Sequence, residues 1–345
     1  MENPRYVYQS AQDSILRPYY QRWVWEPLLG RIPASLSPNA LTGISTLCCA
    51  ASFLLAAAAP ASAAAMVTAS LCVFAYLSLD NMDGAHARNT GQSSRLGEFL
   101  DHWLDTLNNG FVILGACLAV GLSSFFTLLV LSAGTLAFFA VQLELRHTGV
   151  FRMGRVADIE GNTAVSLLYL GVAFLGPDFF QQSPAEGWPS LAVLLGAGVM
   201  GQAVWTFASA LYRLEGGRLD CLPLLFCLAG LIVWATLAGP ALSGGTGAAL
   251  LAAGFFANPV FTSRPILARL RGHSTQSADR LATTAVVVAG VAACTGLGPD
   301  LELAWATAIG LTGMTLHYAL STVAALRHEP SVANVSPDAE NAPRP

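Results

Sequence analysis

Lysine is absent from this chain of 345 residues, and charge of either sign is scarce. Charged side chains make up 11% of the residues and hydrophobic ones 54%, with a mean hydropathy of +0.54. A typical soluble domain carries about 25% charged residues, so this composition excludes an ordinary soluble globule and indicates a polytopic membrane protein. The net charge is −4, and no nucleic-acid partner is expected.

Paired cysteine motifs are also missing. The seven cysteines lie mostly in apolar stretches without CxxC spacing, so we interpret them as packing residues. The first thirty residues lack a basic start, a short apolar core and a small-residue cleavage site. We therefore expect no cleavable signal peptide.

About ten apolar stretches approach the roughly 20 residues that a bilayer requires. They lie near residues 41–60, 62–79, 106–121, 124–144, 163–180, 189–210, 221–238, 243–261, 281–297 and 302–324. With these spans, all seventeen arginines fall on one side, which the positive-inside rule makes cytoplasmic. The sequence predicts an all-α multi-pass protein with about ten transmembrane helices, in the bacterial cytoplasmic membrane or, in a eukaryote, the endoplasmic reticulum.

The two ends of the chain differ from its apolar middle. Residues 1–36 alternate aromatic residues with arginine and glutamine, which indicates an N-terminal interfacial amphipathic helix. Residues 329–345, rich in proline, asparagine, alanine and serine, are expected to be disordered. Between them we predict a catalytic transmembrane core at 37–180 and additional C-terminal transmembrane helices at 181–328.

Four aspartates stand between two apolar stretches, at Asp80, Asp83, Asp101 and Asp105. At helical spacing each pair projects from one side of its helix, so the pairs could face each other across a groove. Ionisable residues at membrane depth cost roughly 2.5–3.5 kcal/mol each, which makes a functional site the default interpretation. Hard oxygen ligands suit Mg²⁺ or Mn²⁺, and two ions about 4 Å apart would balance the four charges.

Small residues accompany the aspartates. Gly84 and Ala87 lie on the first helix and Gly97 precedes the third aspartate by four residues, which opens the backbone to a bulky ligand. In the alternative reading, the acids form solvated helix ends paired with Arg88 and Arg95. A fixed spacing over eight positions favours a functional site over that alternative. These positions are Asp80, Asp83, Gly84, Ala87, Arg88, Gly97, Asp101 and Asp105.

The segment DNMDGAHARNTGQSSRLGEFLDHWLD resembles the signature of the CDP-alcohol phosphotransferase family. The number of spans, the entry segment around Pro38-Asn39 and Thr42, and the segments GEFLDH and GVFRMGRVADIEG are similar to its choline and ethanolamine phosphotransferase branch. The resemblance covers about residues 14–165. It implies that a diacylglycerol hydroxyl attacks the β-phosphorus of CDP-choline or CDP-ethanolamine and CMP leaves, in a membrane-embedded homodimer.

Within that reaction we assign roles to further residues. His102 is the leading candidate for the base, because the pKa of imidazole, near 6.5, suits neutral pH, and Glu160 would orient or charge-balance it. Asp105 is the alternative base, as in the resemblance-based picture of the CDP-diacylglycerol enzymes. For Glu160, a loop pairing with Arg152 or Arg155 remains an alternative.

The remaining residues are expected to bind substrate. Arg88 would contact donor phosphate and Asn39 the nucleotide, although capping of the first span's helix is an equal possibility for Asn39. Close approach of the donor would use the small residues, and Arg152 completes the predicted set, which is Asn39, Gly84, Ala87, Arg88, Gly97 and Arg152.

Two other functions remain open. One is transfer of a phosphatidyl group from CDP-diacylglycerol to inositol, serine or glycerol phosphate, for which Arg146, Arg152 and Arg155 supply basic residues. The other is a transporter or cation-binding membrane protein without chemistry, which the position of the acids near one membrane face disfavours.

Overall fold

The computed structural model of the protein describes residues 9–11, 14–156, 158–214, 216–239, 242, 244–271, 277–296 and 300–327. The helices are α1 (Arg17–Tyr20), α2 (Glu26–Leu29), α3 (Pro38–Ala58), α4 (Ala63–Thr90), α5 (Arg95–Ala119), α6 (Ser124–Thr148), α7 (Asp158–Leu175), α8 (Pro177–Phe180), α9 (Leu191–Arg213), α10 (Leu222–Ala238), α11 (Gly245–Arg271), α12 (Ser277–Cys294) and α13 (Asp300–Leu326). A π-helical turn (Gln21–Trp25) joins α1 to α2, and a 3₁₀ turn (Arg218–Cys221) precedes α10.

The all-α prediction is confirmed, with the addition of one short parallel strand pair. Strands β1 (Gln9–Ala11) and β2 (Val150–Arg152) pair with Gln9 opposite Val150. This pairing attaches the N-terminal segment to the turn that follows α6.

The predicted count of ten membrane spans is wrong. Among the described residues, six helical segments are long and apolar enough to cross a membrane: Pro38–Ala58, Ala63–Thr90, Ser124–Thr148, Leu191–Arg213, Arg218–Ala238 and Asp300–Leu326. The other four predicted spans fall in α5, α7, α11 and α12. Acidic and amide residues interrupt α5 and α7, two prolines and three arginines interrupt α11, and the apolar part of α12 is the shorter stretch Leu281–Ala293.

The turn between α4 and α5 fixes the two aspartate helices relative to each other. Gly91 ends α4 with φ 67°, a left-handed conformation that glycine adopts without a Cβ penalty. Three residues later, the Ser94 hydroxyl accepts a hydrogen bond from the Gly97 amide at 3.0 Å and caps α5. The chain therefore reverses within a few residues, as the TGQSS sequence favours.

Packing around α5 joins the two halves of the molecule. On one side α3 packs against both α4 and α5, and α7 also contacts both. On the other side α11 lies along α5, where Trp103 donates from Nε1 to the Ser263 hydroxyl at 3.1 Å and Asn258 donates to the Thr106 carbonyl at 3.0 Å. The C-terminal helices are thus fixed to the helix that carries two of the aspartates.

The predicted N-terminal helix is helical from α1 through α2. Trp25 is buried against the bundle, whereas Trp23 is 69% exposed, and the Tyr20 hydroxyl lies 2.9 Å from that of Thr163. Its position at the membrane surface stays a prediction, and the predicted disordered tail lies outside the described residues.

Glu144 of α6 is a fully buried carboxylate held by two arginines. Arg213 of α9 donates from Nε and Nη2 to its two oxygens at 2.6 and 2.7 Å, and Arg152 of β2 donates from Nη1 at 3.1 Å. This forked geometry satisfies the buried charge and ties three elements together.

We expect Glu144→Ala to lower the free energy of unfolding by about 2 kcal/mol, because it removes charge-assisted hydrogen bonds, while the two arginines left behind are 36% and 39% exposed and can be hydrated. Thermal unfolding in detergent measures this change. Arg146→Ala on the same helix is the matched control, since its Nη1 lies 3.7 Å from Asp220, whose side chain is 45% exposed. Equal thermal midpoints for Glu144→Ala and the unmodified protein would contradict the expectation.

Candidate functional site

A cavity of about 1710 Å³ contains the predicted site. Its polar end is lined by the ends of α4 and α5 that carry the aspartates and by the starts of α3 and α7. Its apolar end runs between α5, α6, α7 and α9, where Ile113, Phe138, Leu168 and Val199 line it. One space therefore offers both a carboxylate-rich wall and a hydrocarbon-like wall.

All four predicted metal ligands line this cavity, with Asp80 and Asp83 on α4 and Asp101 and Asp105 on α5. Asp83 is 5% exposed and accepts a hydrogen bond from the Thr42 hydroxyl at 2.5 Å. The Oδ1 atoms of Asp80 and Asp105 are buried and have no hydrogen-bond partner among the described residues. Such oxygens need a cation or a donor from a ligand.

The carboxylates line one cavity without forming a closed metal cage. Among the described residues, no three or more His, Cys, Asp or Glu side chains are grouped closely enough to hold one ion. Mg²⁺ is usually held by one or two carboxylates together with water and substrate phosphate oxygens. The donor set and its unpartnered buried oxygens fit an ion of that kind, with Asp80, Asp83, Asp101 and Asp105 as the residues that would hold it.

Small residues bring the backbone close to other parts of the site. A Cβ at Gly97 would lie 3.0 Å from Oδ1 of Asn39 and 3.2 Å from the Ser94 hydroxyl, so glycine there permits the contact between α3 and α5. Ser37 caps α3 through the Ala40 amide at 3.2 Å, which leaves the Asn39 amide to line the cavity.

The small strip predicted on α4 is present. Gly84 and Ala87 line the cavity together with Arg88. A Cβ at Gly84 would lie 3.5 Å from the Nη1 atom of Arg88, an ordinary contact. The Arg88 side chain therefore passes beside this strip at the rim of the cavity.

His102 is buried at 3% exposure and lines the cavity beside Asp101. Its ring lies 5.6 Å from that of Phe151, and its Nδ1 is 3.5 Å from the Gln142 amide nitrogen. Burial, reinforced by the Arg269 guanidinium, lowers the pKa of His102 to about 3. The imidazole is therefore neutral at pH 7, and it is a weaker base than the reference pKa near 6.5, which favoured His102 for that role, implies.

The remaining two predicted residues, Glu160 and Arg152, do not pair with each other in the structure; each contacts other residues. Oε1 of Glu160 accepts hydrogen bonds from the Ser14 hydroxyl at 2.6 Å and the Leu16 amide at 3.0 Å, which holds the N-terminal segment at the cavity edge. Arg152 pairs with Glu144 and lines a neighbouring pocket of about 280 Å³, not the main cavity.

Asp158 is a fifth aspartate in the cavity wall, and it was not predicted from the sequence. It lines the cavity on α7 and accepts a hydrogen bond from Asn162 at 2.6 Å. Burial raises its pKa to about 6, while hydrogen bonds from Asn81 and Asn162 act in the opposite direction. The segment ADIEGN contained this signal, since Asp158 precedes Glu160 by two residues and both reach one helix end.

Arg269 of α11 was also missed, because no short motif surrounds it. The structure places its guanidinium against Glu98 of α5, in the wall of the main cavity. Only the packing of α11 on α5 reveals this position.

Comparison with known proteins places this arrangement in a family. The sequence model for CDP-alcohol phosphatidyltransferase matches residues 35–213. Cholinephosphotransferase 1 of Gallus gallus is 36% identical over 180 residues, covering 49% of this chain and 52% of the relative. For the Danio rerio protein of the same name the identity is 31% over 182 residues, covering 50% and 47%. For the Rattus norvegicus protein it is 30% over 223 residues, covering 61% and 55%.

This chain spans about half the length of the curated relatives it matches. The matched range includes the aspartate helices, His102 and Glu160, and ends with α9. It takes in just over half of the 345 residues. The chain therefore belongs to the CDP-alcohol phosphatidyltransferase family.

Proposed function

We propose that this protein transfers phosphocholine or phosphoethanolamine from a CDP-alcohol to the hydroxyl of diacylglycerol and releases CMP. The observation that carries the proposal is a single cavity with a carboxylate and imidazole wall at one end and an apolar wall at the other. A lipid alcohol could place its chains in the apolar part and its hydroxyl beside His102. The names of the relatives support the choline branch.

The proposed reaction requires a base at the polar end of the cavity. The acceptor oxygen forms a bond to the β-phosphorus, the bond from that phosphorus to the bridging oxygen breaks, and CMP leaves with the bridging oxygen. His102 takes the acceptor proton, with Asp105 as the alternative base. The Gln142 Nε2 atom lies 3.5 Å from Nδ1 of His102, and reversal of that side-chain amide would instead turn its Oε1 towards an Nδ1–H donor.

Donor binding falls to the other lining residues. Arg88 contacts phosphate, Asn39 contacts the nucleotide, and the strip at Gly84, Ala87 and Gly97 lets the donor lie against the backbone. We assign Asp80, Asp83, Asp101 and Asp105 to Mg²⁺ or Mn²⁺, as two ions. When bound, these ions would neutralise the pyrophosphate and stabilise the leaving phosphate. Glu160 supports the site by holding the N-terminal segment at its edge.

One observation favours a second function. The pocket beside the main cavity is lined by Arg152, Arg155 and Arg213, which would suit a phosphorylated small alcohol such as glycerol phosphate. In that case CDP-diacylglycerol would occupy the apolar wall as donor.

The wider setting is part of the proposal. The family and the six apolar segments support a multi-pass integral membrane protein. The arginine distribution favours a cytoplasmic position for the polar end of the cavity. A homodimer and the domain limits 1–36, 37–180, 181–328 and 329–345 remain proposals.

The purified protein with Mg²⁺ or Mn²⁺ is expected to release CMP from CDP-choline or CDP-ethanolamine when diacylglycerol is present. Because the acceptor must be a lipid, omission of diacylglycerol should abolish release. CMP release is measured with this substrate set and, separately, with CDP-diacylglycerol plus inositol, serine or glycerol phosphate. Release with only this second set would contradict the proposed substrates and favour the second function.

Asp101→Asn is expected to reduce CMP release by roughly 100-fold or more. The substitution removes one carboxylate charge and would weaken binding of the cations that stabilise the transition state. EDTA should have a similar effect on the unmodified enzyme, and added Mg²⁺ should reverse it. Asp178→Asn is the control, because this aspartate is exposed on α8 and lies outside the cavity-lining residues. Full metal-dependent turnover by Asp101→Asn would end the carboxylate assignment.

His102→Gln is expected to lower kcat by about 100-fold or more and to leave the KM for the donor nearly unchanged, because a general base acts on the chemical step. His317→Gln on α13, an exposed histidine, is the control. The kcat of His102→Gln decides between the two candidate bases, because Asp105→Asn also removes a proposed metal ligand and should lower kcat in either case. A normal kcat for His102→Gln with a lost kcat for Asp105→Asn would transfer the role to Asp105.

A further inference from the structure

Arg269 lines the cavity although it lies outside residues 35–213, the range that the family model matches. It lies on α11, whereas the family match ends at residue 213. Its side chain is 7% exposed, forms an ion pair with Glu98 and lines the main cavity. The C-terminal half of the molecule therefore supplies a cation to the polar end of the cavity.

The position of Arg269 is fixed by a row of contacts between α11 and α5. Asn258 bonds the Thr106 carbonyl and Ser263 bonds Trp103. Further along α11, Ile266, Leu267 and Leu270 pack with Phe99 and Trp103 in one buried apolar cluster. A long, flexible side chain loses less entropy on binding a ligand when its backbone is already held in this way.

The proposed function puts the donor phosphates at the polar end of the cavity, and the paired side chains of Arg269 and Glu98 both line that cavity. An arginine fork can bind two oxygens of a phosphate in parallel, and it does so with charge-assisted hydrogen bonds. Glu98 lies three residues before Asp101 in the first turn of α5 and also lines the cavity. A bound pyrophosphate would compete with this carboxylate for the same guanidinium.

We propose that Arg269 is a donor-binding residue that exchanges Glu98 for the pyrophosphate of the CDP-alcohol. This inference rests on the proposed function. It makes the C-terminal helices part of the substrate site and not only a support for it. Because Arg269 acts on binding and not on proton transfer, its loss should appear in KM for the donor.

The experiment compares Arg269→Gln, Arg269→Lys and Glu98→Gln in the full-length protein. Arg269→Gln should raise the KM for CDP-choline about tenfold or more and leave kcat within about threefold, as expected for loss of a charge-assisted phosphate contact. Arg269→Lys keeps the charge but loses the fork, so an intermediate KM is expected. Glu98→Gln removes the competitor and should leave the KM unchanged or lower it.

Arg264→Gln is the matched control, because this arginine lies on the same helix, near Tyr318, and is not among the cavity-lining residues. Calorimetric titration with CDP-choline supplies a readout independent of turnover, and melting temperatures report structural damage. An unchanged KM and affinity in Arg269→Gln would overturn the proposal. Equal losses of affinity and stability in Arg269→Gln and Glu98→Gln would also overturn it, because the pair would then be structural only.

Failure of the proposed function has a different signature. The unmodified protein would then release no CMP from any CDP-alcohol. If it still bound CDP-choline, the affinity of Arg269→Gln would test the contact as before. If the unmodified protein neither bound nor cleaved a CDP-alcohol, both the function and the role of Arg269 would be rejected.

Discussion

Carboxylates enclosed by apolar helices must have their charge compensated, and the organisation of this site depends on that constraint. An ion removed from water carries a penalty of several kcal/mol even after relaxation. Glu144 meets it with two arginines and Asp158 with Asn162. The buried Oδ1 atoms of Asp80 and Asp105 have no such partner in the described part of the chain. Unpartnered buried oxygens of this kind support the cation site proposed above.

The same constraint explains why the two halves of the chain are joined along α5. This helix presents its carboxylates to the cavity and its aromatic residues to α11. The contacts of Trp103 with Ser263 and of Asn258 with Thr106 make the two helices one unit. A substrate that binds at the polar end therefore meets residues from the matched region and from the C-terminal helices together.

The local parts of the site could be predicted because they rest on short-range spacing. The two aspartate pairs, the small residues beside them and the glycine that ends α4 each follow from helix geometry or turn chemistry. The span count failed for a related reason. The helices α5, α7 and α11 contain apolar runs that resemble membrane spans in the sequence. Polar residues that line the cavity or pack between helices interrupt these runs, so none of the three is among the six segments that are long and apolar enough to cross a membrane.

The sequence by itself determined a helical, apolar protein with an acidic site of recognisable spacing, because these features depend on residues a few positions apart. Only the tertiary structure decided which distant side chains meet. Arg213 reaches Glu144 across 69 positions, Glu160 holds Ser14 across 146, and Arg269 joins Glu98 from another helix. No local pattern encodes such pairs, since an arginine on any helix end can find several carboxylates. The packing of whole helices selects the one it contacts.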